Sequence, residues 1–149
     1  YEYLMLVRPT SKEEGKYTKK LPYNVLQADN SAHVVKDDIT GITAYISYRG
    51  YVSDGTLVAS VQPETIVMER KREDGSVVMS ICTPDLGITE KGYTTTQPSQ
   101  VIVKEVVLNG NWTLAGTYDN VSLKHDGGKT VVSASCRHGQ PVEISILSK

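Results

Sequence analysis

Cysteine is scarce in this 149-residue sequence, which contains only Cys82 and Cys136. Two cysteines are too few for a disulfide framework, and they show neither a CxxC motif nor the Cys/His spacing of a zinc site. Two buried free thiols are one interpretation, and a single disulfide between neighbouring strands is the other if the protein is exported. The sequence therefore predicts neither a metal centre nor a disulfide-rich scaffold.

Long apolar runs and an excess of one charge are also absent. No window approaches the ~20 apolar residues of a membrane span. The opening YEYLMLVRPT lacks the basic region that precedes the apolar run of a secretory signal. With 16 Lys+Arg against 17 Asp+Glu, the formal net charge of −1 is too small to attract nucleic acid or an anionic membrane. We expect no nucleic-acid partner, no membrane span and, because an initiator Met is missing, a piece of a longer polypeptide.

The dominant positive feature is an alternation of apolar and polar residues with a period of two. It predicts antiparallel strands with one buried face, and the length fits one such domain. We therefore predict an all-β fold, an antiparallel two-sheet β-sandwich with one short peripheral N-terminal helix. The alternation fades over residues 50–60, which indicates a loop or an irregular edge strand. The candidate strands are residues 3–7, 32–36, 42–48, 65–70, 77–83, 101–108, 112–115, 121–125, 130–136 and 142–147.

Three connections contain the residues that tight hairpin turns prefer. Asn, Asp and Gly accept the positive φ angles that these turns require. We predict a hairpin at each of the three places. The turns are Asp74-Gly75, Asn109-Gly110 and Asp126-Gly127-Gly128.

One segment, residues 10–20, favours a helix. A capping box can form there between Thr10 and Glu13, or between Ser11 and Glu14. The helix would be short and peripheral, so we expect it to contribute little to the core.

Residues with catalytic or metal-binding chemistry have structural explanations in this sequence. We expect the three histidines to have surface or turn-capping roles. Ser133 and Ser135 stand within a predicted strand, not at the strand-to-helix elbow of a hydrolase nucleophile. Asp29, Asp37 and Asp38 lack the spacing of a calcium loop. We predict no catalytic residue, no metal and no cofactor in this chain. The histidines are His33, His125 and His138.

A few residues could bind a carbohydrate. Arg70 and Arg72 could contact a sulfated polyanion, although neighbouring glutamates cancel part of their charge and a solvated hairpin tip is the simpler interpretation. Trp112 or Tyr45 could stack on a sugar ring, although the single Trp of a sandwich is more often part of the core. Tyr45 and Tyr48 are separated by an odd number of positions, so their side chains should lie on opposite faces of their strand.

Several segments resemble the chondroitin and hyaluronan lyase family of polysaccharide lyases. The opening YEYLMLVRPTSKEE resembles the junction between the central and last domains of those enzymes. Four later segments resemble C-terminal parts of chondroitin ABC-type lyases, in the same order. The most specific piece is ICTPDLGIT, residues 81–89, which a strand and the NGNW sequence follow. The four segments are ITAYISY, ETIVMERKREDGSVVMSICTPDLGITEKG, VIVKEVVLNGNW and GQPVEISI.

The resemblance implies a place for this chain in a larger enzyme. Those lyases combine an α/α toroid, a central β-sandwich and a smaller terminal β-sandwich. They cleave uronic-acid-containing polysaccharides by β-elimination, with an Asn, His, Tyr and Arg set and a supporting Glu. No position of this sequence matches that set, so the chain alone is expected not to be an enzyme. A periplasmic or secreted location is implied by the same resemblance.

Two domain assignments follow from the resemblance. Residues 1–9 would end the preceding central domain or link to it, and residues 10–149 would form the C-terminal β-sandwich. Leu4 to Val7 form a consecutive apolar run, which predicts a strand buried on both faces. We expect Leu4 and Leu6 to dock against upstream catalytic domains of the same polypeptide.

Three functions are compatible with these residues. The first is a structural domain that packs on and stabilises the central domain of a glycosaminoglycan lyase. The second is a carbohydrate-binding module that contacts the polysaccharide substrate. An independent enzyme is the third, and it has the least support because no proton-abstraction set is present.

Overall fold

The computed structural model describes residues 5–53, 55–84 and 100–149. Within them the chain forms one short helix and twelve strands. The elements are α1 (Ser11–Tyr17), β1 (Tyr23–Ala28), β2 (Ala32–Asp37), β3 (Ile42–Ser47), β4 (Tyr51–Val52), β5 (Val58–Val61), β6 (Thr65–Lys71), β7 (Val77–Cys82), β8 (Ile102–Asn109), β9 (Trp112–Leu114), β10 (Val121–Asp126), β11 (Lys129–Cys136) and β12 (Val142–Ser148).

The strands form two antiparallel sheets. The large sheet has seven strands in the order β1-β2-β3-β6-β7-β12-β9, and the small sheet has five in the order β10-β11-β8-β5-β4. This arrangement confirms the predicted all-β sandwich. The prediction succeeded because each apolar/polar alternation marks one strand with one buried face.

The core fills the space between the two sheets. Along β11, buried and half-buried residues alternate over the whole strand, as the period-two pattern predicts. Burial of each large apolar side chain contributes roughly 1.5–3 kcal/mol, so this layer supplies the main driving force for folding. The largest fully buried side chains are Tyr45, Met79, Ile81, Leu108, Ile144, Ile146, Val34, Val58, Val67, Val77, Val106 and Val132.

Helix α1 begins with the capping box formed by Thr10 and Glu13, one of the two alternatives in the sequence. The Thr10 hydroxyl accepts from the Glu13 backbone N–H at 3.3 Å, and the Thr10 backbone N–H donates to Glu13 Oε2 at 2.8 Å. These reciprocal bonds satisfy N–H groups that a helix start leaves free. The helix ends at Tyr17, with Thr18 as its C-cap, and has no buried residue. It is peripheral, as predicted.

Two of the three predicted hairpin turns are confirmed. Asp74-Gly75 lies between the paired strands β6 and β7. Gly127 and Gly128, with φ angles of 54° and 78°, form the two-residue turn between β10 and β11. Successive positive φ angles match the twist of the flanking strands, which explains why glycine occupies both positions.

The third predicted hairpin, at Asn109-Gly110, is wrong. Strand β8 belongs to the small sheet and β9 to the large one, so the chain crosses between the sheets at this turn. The Gly110 φ angle is 93°, as turn chemistry requires. Thr130 holds the crossing: its hydroxyl donates to the Gly110 carbonyl at 2.9 Å and accepts from the Trp112 backbone N–H at 2.9 Å.

The strand predicted at residues 3–7 is not formed in the part of it that the structure describes. Residues 3 and 4 lie outside the described residues, and residues 5–7 belong to no strand. Met5 is 74% exposed and Val7 82% exposed, so a consecutive apolar run does not indicate burial here. Strand β1 was not predicted at all, because its sequence YNVLQA has no regular alternation. Residues 50–60 contain the edge strand β4 and most of β5.

Candidate functional site

The basic residues predicted to contact a polyanion lie at the tip of the β6–β7 hairpin. Arg70 and Arg72 are both exposed there. The turn is held by bonds from the Arg72 backbone N–H to the Ser76 carbonyl at 2.8 Å and from the Gly75 backbone N–H to the Arg72 carbonyl at 3.1 Å. A surface depression of about 530 Å³ opens beside this tip. Its lining consists of Thr40, Arg70, Lys71, Arg72, Glu73 and Asp74.

The charges at this depression nearly balance. Three cations stand beside two carboxylates, those of Glu73 and Asp74. Hydrogen bonds from the Ser76 hydroxyl, at 2.6 Å, and from its backbone N–H lower the pKa of Asp74 and keep that carboxylate charged. Guanidinium groups can bind a sulfate or carboxylate in a bidentate way, but the fixed negative charges weaken the attraction.

Trp112 is part of the structural framework. The ring is half-buried and packs against the core. The indole Nε1–H donates to the Asn109 carbonyl at 2.8 Å, which fixes the ring over the turn that joins the sheets. The interpretation of this residue as part of the core agrees with its packing, and only part of the ring remains free to stack on a sugar.

Arg70, Arg72 and Trp112 lie at the same end of the large sheet. The register places Trp112 opposite Ser148, at the end of β12 that approaches the β6–β7 turn. Strands β7 and β12 separate β6 from β9, a span of about 14 Å. The fold therefore brings these residues to one end of the sandwich without placing them in a single pocket.

Tyr45, the fourth sugar-contact candidate, is not available to a sugar. It is fully buried, and its ring packs edge-on against Tyr51 at 5.2 Å between ring centroids. Tyr48 lies on the opposite face and is 47% exposed, as the odd spacing predicts. Tyr45 was predicted to face outward, but it faces the core. Alternation shows that Tyr45 and Tyr48 lie on opposite faces, and it does not show which of the two faces is buried.

Four titratable side chains of the described residues are buried or in contact with neighbouring side chains. Burial raises the pKa of the Glu69 carboxyl and also that of the Tyr45 hydroxyl. His33 packs edge-on against Tyr48, and His125 Nδ1 lies 3.2 Å from the Thr130 hydroxyl. Tyr45 has no exposed surface, so it cannot exchange a proton with a bound substrate.

No metal site or membrane helix is found in the described parts of the chain. None of the described His, Cys, Asp and Glu residues form a group of three or more that could hold a metal ion. Within the same ranges, no helix has the length and apolar composition needed to cross a membrane. Cys82 and Cys136 are both free thiols, and burial raises the pKa of each.

The segment predicted to dock against other domains is only partly described. Leu4 lies outside the described residues, and Leu6 is half-buried between two exposed neighbours, Met5 and Val7. Exposed apolar side chains at this segment leave it free to contact another surface.

A larger apolar surface, which the sequence analysis did not identify, covers the outer side of the large sheet. Val34 and Tyr45 point into the core, so the residues of opposite parity on β2 and β3 point outward. The signal was available in the strand ITAYIS, whose outward residues Ile42, Ala44 and Ile46 are all apolar. We call this surface the apolar face. Its members are Val25, Val35, Ile42, Ala44, Ile46, Ile66, Met68, Val78 and Cys82.

No family model matches the chain. The chain is 26% identical over 151 residues to the chondroitin sulfate ABC endolyase of Proteus vulgaris, covering 98% of this chain and 14% of that protein. It is 24% identical over 168 residues to the chondroitin sulfate ABC exolyase of Bacteroides thetaiotaomicron, covering 98% and 16%. The chain thus spans only about one sixth or one seventh of these relatives.

Two solved structures share the fold. One is the Streptomyces coelicolor A3 chondroitin AC lyase in complex with chondroitin sulphate, with a TM-score of 0.66 and 12% identity over 95% of this chain and 17% of that one. The other is a Paenibacillus xanthan lyase, with a TM-score of 0.72 and 15% identity over 97% and 13%. The chain is therefore similar in sequence to a part of two chondroitin sulfate ABC lyases, and it shares its β-sandwich fold with a part of the two solved lyases.

Proposed function

We propose that this chain is the non-catalytic C-terminal β-sandwich domain of a larger bacterial glycosaminoglycan lyase. In that enzyme it packs on the central domain and stabilises it. The parent cleaves chondroitin sulfate, dermatan sulfate or hyaluronan by β-elimination, in the periplasm or outside the cell. Residues 10–149 form the domain, and residues 1–9 connect it to the preceding one.

One observation carries the proposal. Nearly all of this chain matches a segment that makes up 14% and 16% of two chondroitin sulfate ABC lyases. Elimination from a uronic acid requires a base that removes the C5 proton and an acid that protonates the leaving oxygen. Two of the histidines already contact neighbouring side chains: His33 packs against Tyr48, and His125 Nδ1 lies within hydrogen-bond distance of the Thr130 hydroxyl. Residues 5–7 belong to no strand, which supports the assignment of this segment to a connection.

An activity assay of the isolated chain tests the non-catalytic role. Purified chain, free of full-length enzyme, is incubated with chondroitin sulfate, dermatan sulfate and hyaluronan, and unsaturated product is followed by ultraviolet absorbance. We expect no product above the buffer control, while the full-length lyase gives a clear signal. Product formation by the isolated chain would refute the non-catalytic role.

A carbohydrate-binding module is the second candidate. The depression lined by Arg70, Lys71 and Arg72, with Trp112 at the same end of the sheet, supports it. The near-balance of charge predicts weak binding that physiological salt abolishes, because screening removes most of the attraction of exposed cations.

Titration of the isolated chain with chondroitin sulfate at low and physiological salt separates the two candidates. For the structural role we expect weak binding at low salt, which Arg70→Ala with Arg72→Ala removes and Trp112→Ala leaves unchanged. Low-micromolar affinity that persists in physiological salt and is lost in Trp112→Ala would establish a carbohydrate-binding module instead.

A further inference from the structure

We infer that the apolar face of the large sheet is the surface through which this domain docks onto an apolar surface of another domain of the same polypeptide. The inference rests on the proposed function and adds the location of the interface. It assigns docking to the middle of a rigid sheet, whereas the sequence assigned it to Leu4 and Leu6.

The apolar face has members on five neighbouring strands, β1, β2, β3, β6 and β7. One cross-strand row runs from Val35 on β2 through Ala44 on β3 to Met68 on β6. Adjacent to it, Ile46 on β3 lies opposite Ile66 on β6. With strands about 4.8 Å apart and outward residues about 6.8 Å apart, these rows form a single patch about 15 Å across.

Polar residues surround this patch. Arg70 lies between Ile42 and Val78 in the row nearest the β6–β7 turn. His33 ends another row at the β2 side, and Glu143 on β12 follows Ser80 beyond Met68. An apolar centre with a polar rim is the arrangement that protein interfaces typically have. Contiguous apolar patches of this kind on a soluble protein mark contact surfaces.

The outer face of the small sheet is different. Its central row alternates in character, with Val131 and Val107 between Lys124 and Ser60, and the next row contains Glu105, Ser133 and Ser122. The Ser133 hydroxyl donates to Glu105 Oε1 at 3.3 Å, so this face carries its own polar network. One face of the sandwich is therefore suited to solvent and the other to a partner surface.

The partner that fits best belongs to the same polypeptide. The chain represents 14% and 16% of the two sequence relatives, so most of each relative lies outside the matched segment. A domain tethered by a short connection has an effective concentration of about millimolar, which exceeds that of a second copy in solution. The apolar face would be covered as soon as the parent folds.

Methionine oxidation tests the location without changing the sequence. Met68 is 47% exposed on the apolar face, whereas Met79 is fully buried in the core. Isolated chain and full-length lyase are treated with dilute hydrogen peroxide, and oxidation at each methionine is followed by peptide mass spectrometry. We expect the oxidation rate of Met68 to be at least about tenfold lower in the full-length lyase than in the isolated chain. Met79 should oxidise slowly in both proteins. Acylation of the exposed Lys124, on the small sheet, should proceed equally in both.

The outcomes separate the location of the interface from the proposed function. Equal oxidation of Met68 in the two proteins would overturn the inference, and so would protection of Lys124 in place of Met68. Protection of Met68 that disappears on dilution of the full-length lyase would also overturn it, because it would assign the face to a second copy. The proposed function is tested separately, by the stability of a lyase from which the domain has been deleted. The outcome of that experiment does not depend on which face of the domain docks.

A variant pair provides a second readout. Met68→Lys places a charge in the apolar face, and Val131→Lys places one on the outer face of the small sheet as a matched control. In the full-length lyase we expect Met68→Lys to speed proteolytic release of the domain roughly tenfold, and Val131→Lys to leave the rate unchanged. Equal rates for the two variants, with both isolated domains folded, would contradict the inference.

Discussion

Two tyrosines in the core, Tyr45 and Tyr51, differ in the hydrogen bonding of their hydroxyl groups. The Tyr51 hydroxyl lies 3.1 Å from the Thr56 hydroxyl, within hydrogen-bond distance. The buried Tyr45 hydroxyl has no well-formed hydrogen bond among the described residues, although the hydroxyls of Thr56 and Thr43 lie close enough to lower its pKa slightly against the effect of burial. A buried polar group without a partner loses its bonds to water and gains nothing in return. The two side chains therefore contribute differently to stability, although their rings are in contact.

Removing each hydroxyl measures this difference. We expect Tyr45→Phe to be neutral or to raise the free energy of unfolding by up to about 1 kcal/mol, because an unsatisfied group is removed. Tyr51→Phe should lower it by about 1 kcal/mol, because a hydrogen bond is lost. Urea unfolding of both variants provides the comparison. A larger loss in Tyr45→Phe than in Tyr51→Phe would show that the Tyr45 hydroxyl is bonded in solution.

Glu69 should make stability depend on pH. Burial raises the pKa of its carboxyl above the ordinary value of 4.5. The folded state then binds a proton more tightly than the unfolded state, so this residue lowers stability as pH rises above about 4.5. Glu69→Gln should unfold at higher urea than the parent chain at pH 7, with the difference vanishing at pH 4. A glutamine variant that is less stable at pH 7 would show that the carboxylate is stabilised by Thr43 or Lys36.

At the scale of elements, turn chemistry and sheet membership carry different information. Asn109-Gly110 has the residues of a tight turn, and Gly110 does have a positive φ angle. Whether the next strand pairs back or crosses to the other sheet depends on distant contacts, here those with Thr130. Local sequence therefore predicted the turn but not the crossing.

The same limit explains the other differences in the strands. Alternation predicted the central strands, because each has one buried face over several residues. Strand β1 was missed because most of its side chains, including Val25 and Leu26, are exposed and leave no pattern. Its pairing with β2 also contains a bulge between Val25 and Gln27, which interrupts any alternation. Of the site, sequence predicted the positions of Arg70 and Arg72 but not the apolar face.

Two glycine substitutions test the role of the crossing. Gly110→Ala combines a φ angle of 93° with a new Cβ atom 3.3 Å from Trp112 Nε1, so we expect a loss of about 1–2 kcal/mol and a shift in tryptophan fluorescence. Gly15→Ala is the control: it lies in α1 with nothing within 4 Å, and alanine favours a helix by about 0.5–1 kcal/mol. Unfolding monitored by fluorescence compares them. A neutral Gly110→Ala would show that the crossing is not strained.

At the scale of the whole molecule, the sandwich is asymmetric. Its two sheets share one core, but the large sheet turns an apolar surface outward and the small sheet a surface of mixed polar and apolar residues. The basic hairpin tip lies at one end, where near-balanced charge favours no strong polyanion site. The apolar outer face suits a domain that packs against another domain, as we propose. This agrees with the similarity of the chain to a small part of two chondroitin sulfate ABC lyases.

The stabilising role is tested most directly by deleting this chain from the full-length lyase. The deletion variant and the intact enzyme are compared for thermal unfolding and for kcat on chondroitin sulfate at a temperature where both are folded. We predict a Tm lower by several degrees, because an apolar surface loses its cover, with kcat retained within about twofold. An unchanged Tm, or a deletion variant that stays equally stable and loses its activity, would contradict the proposed role.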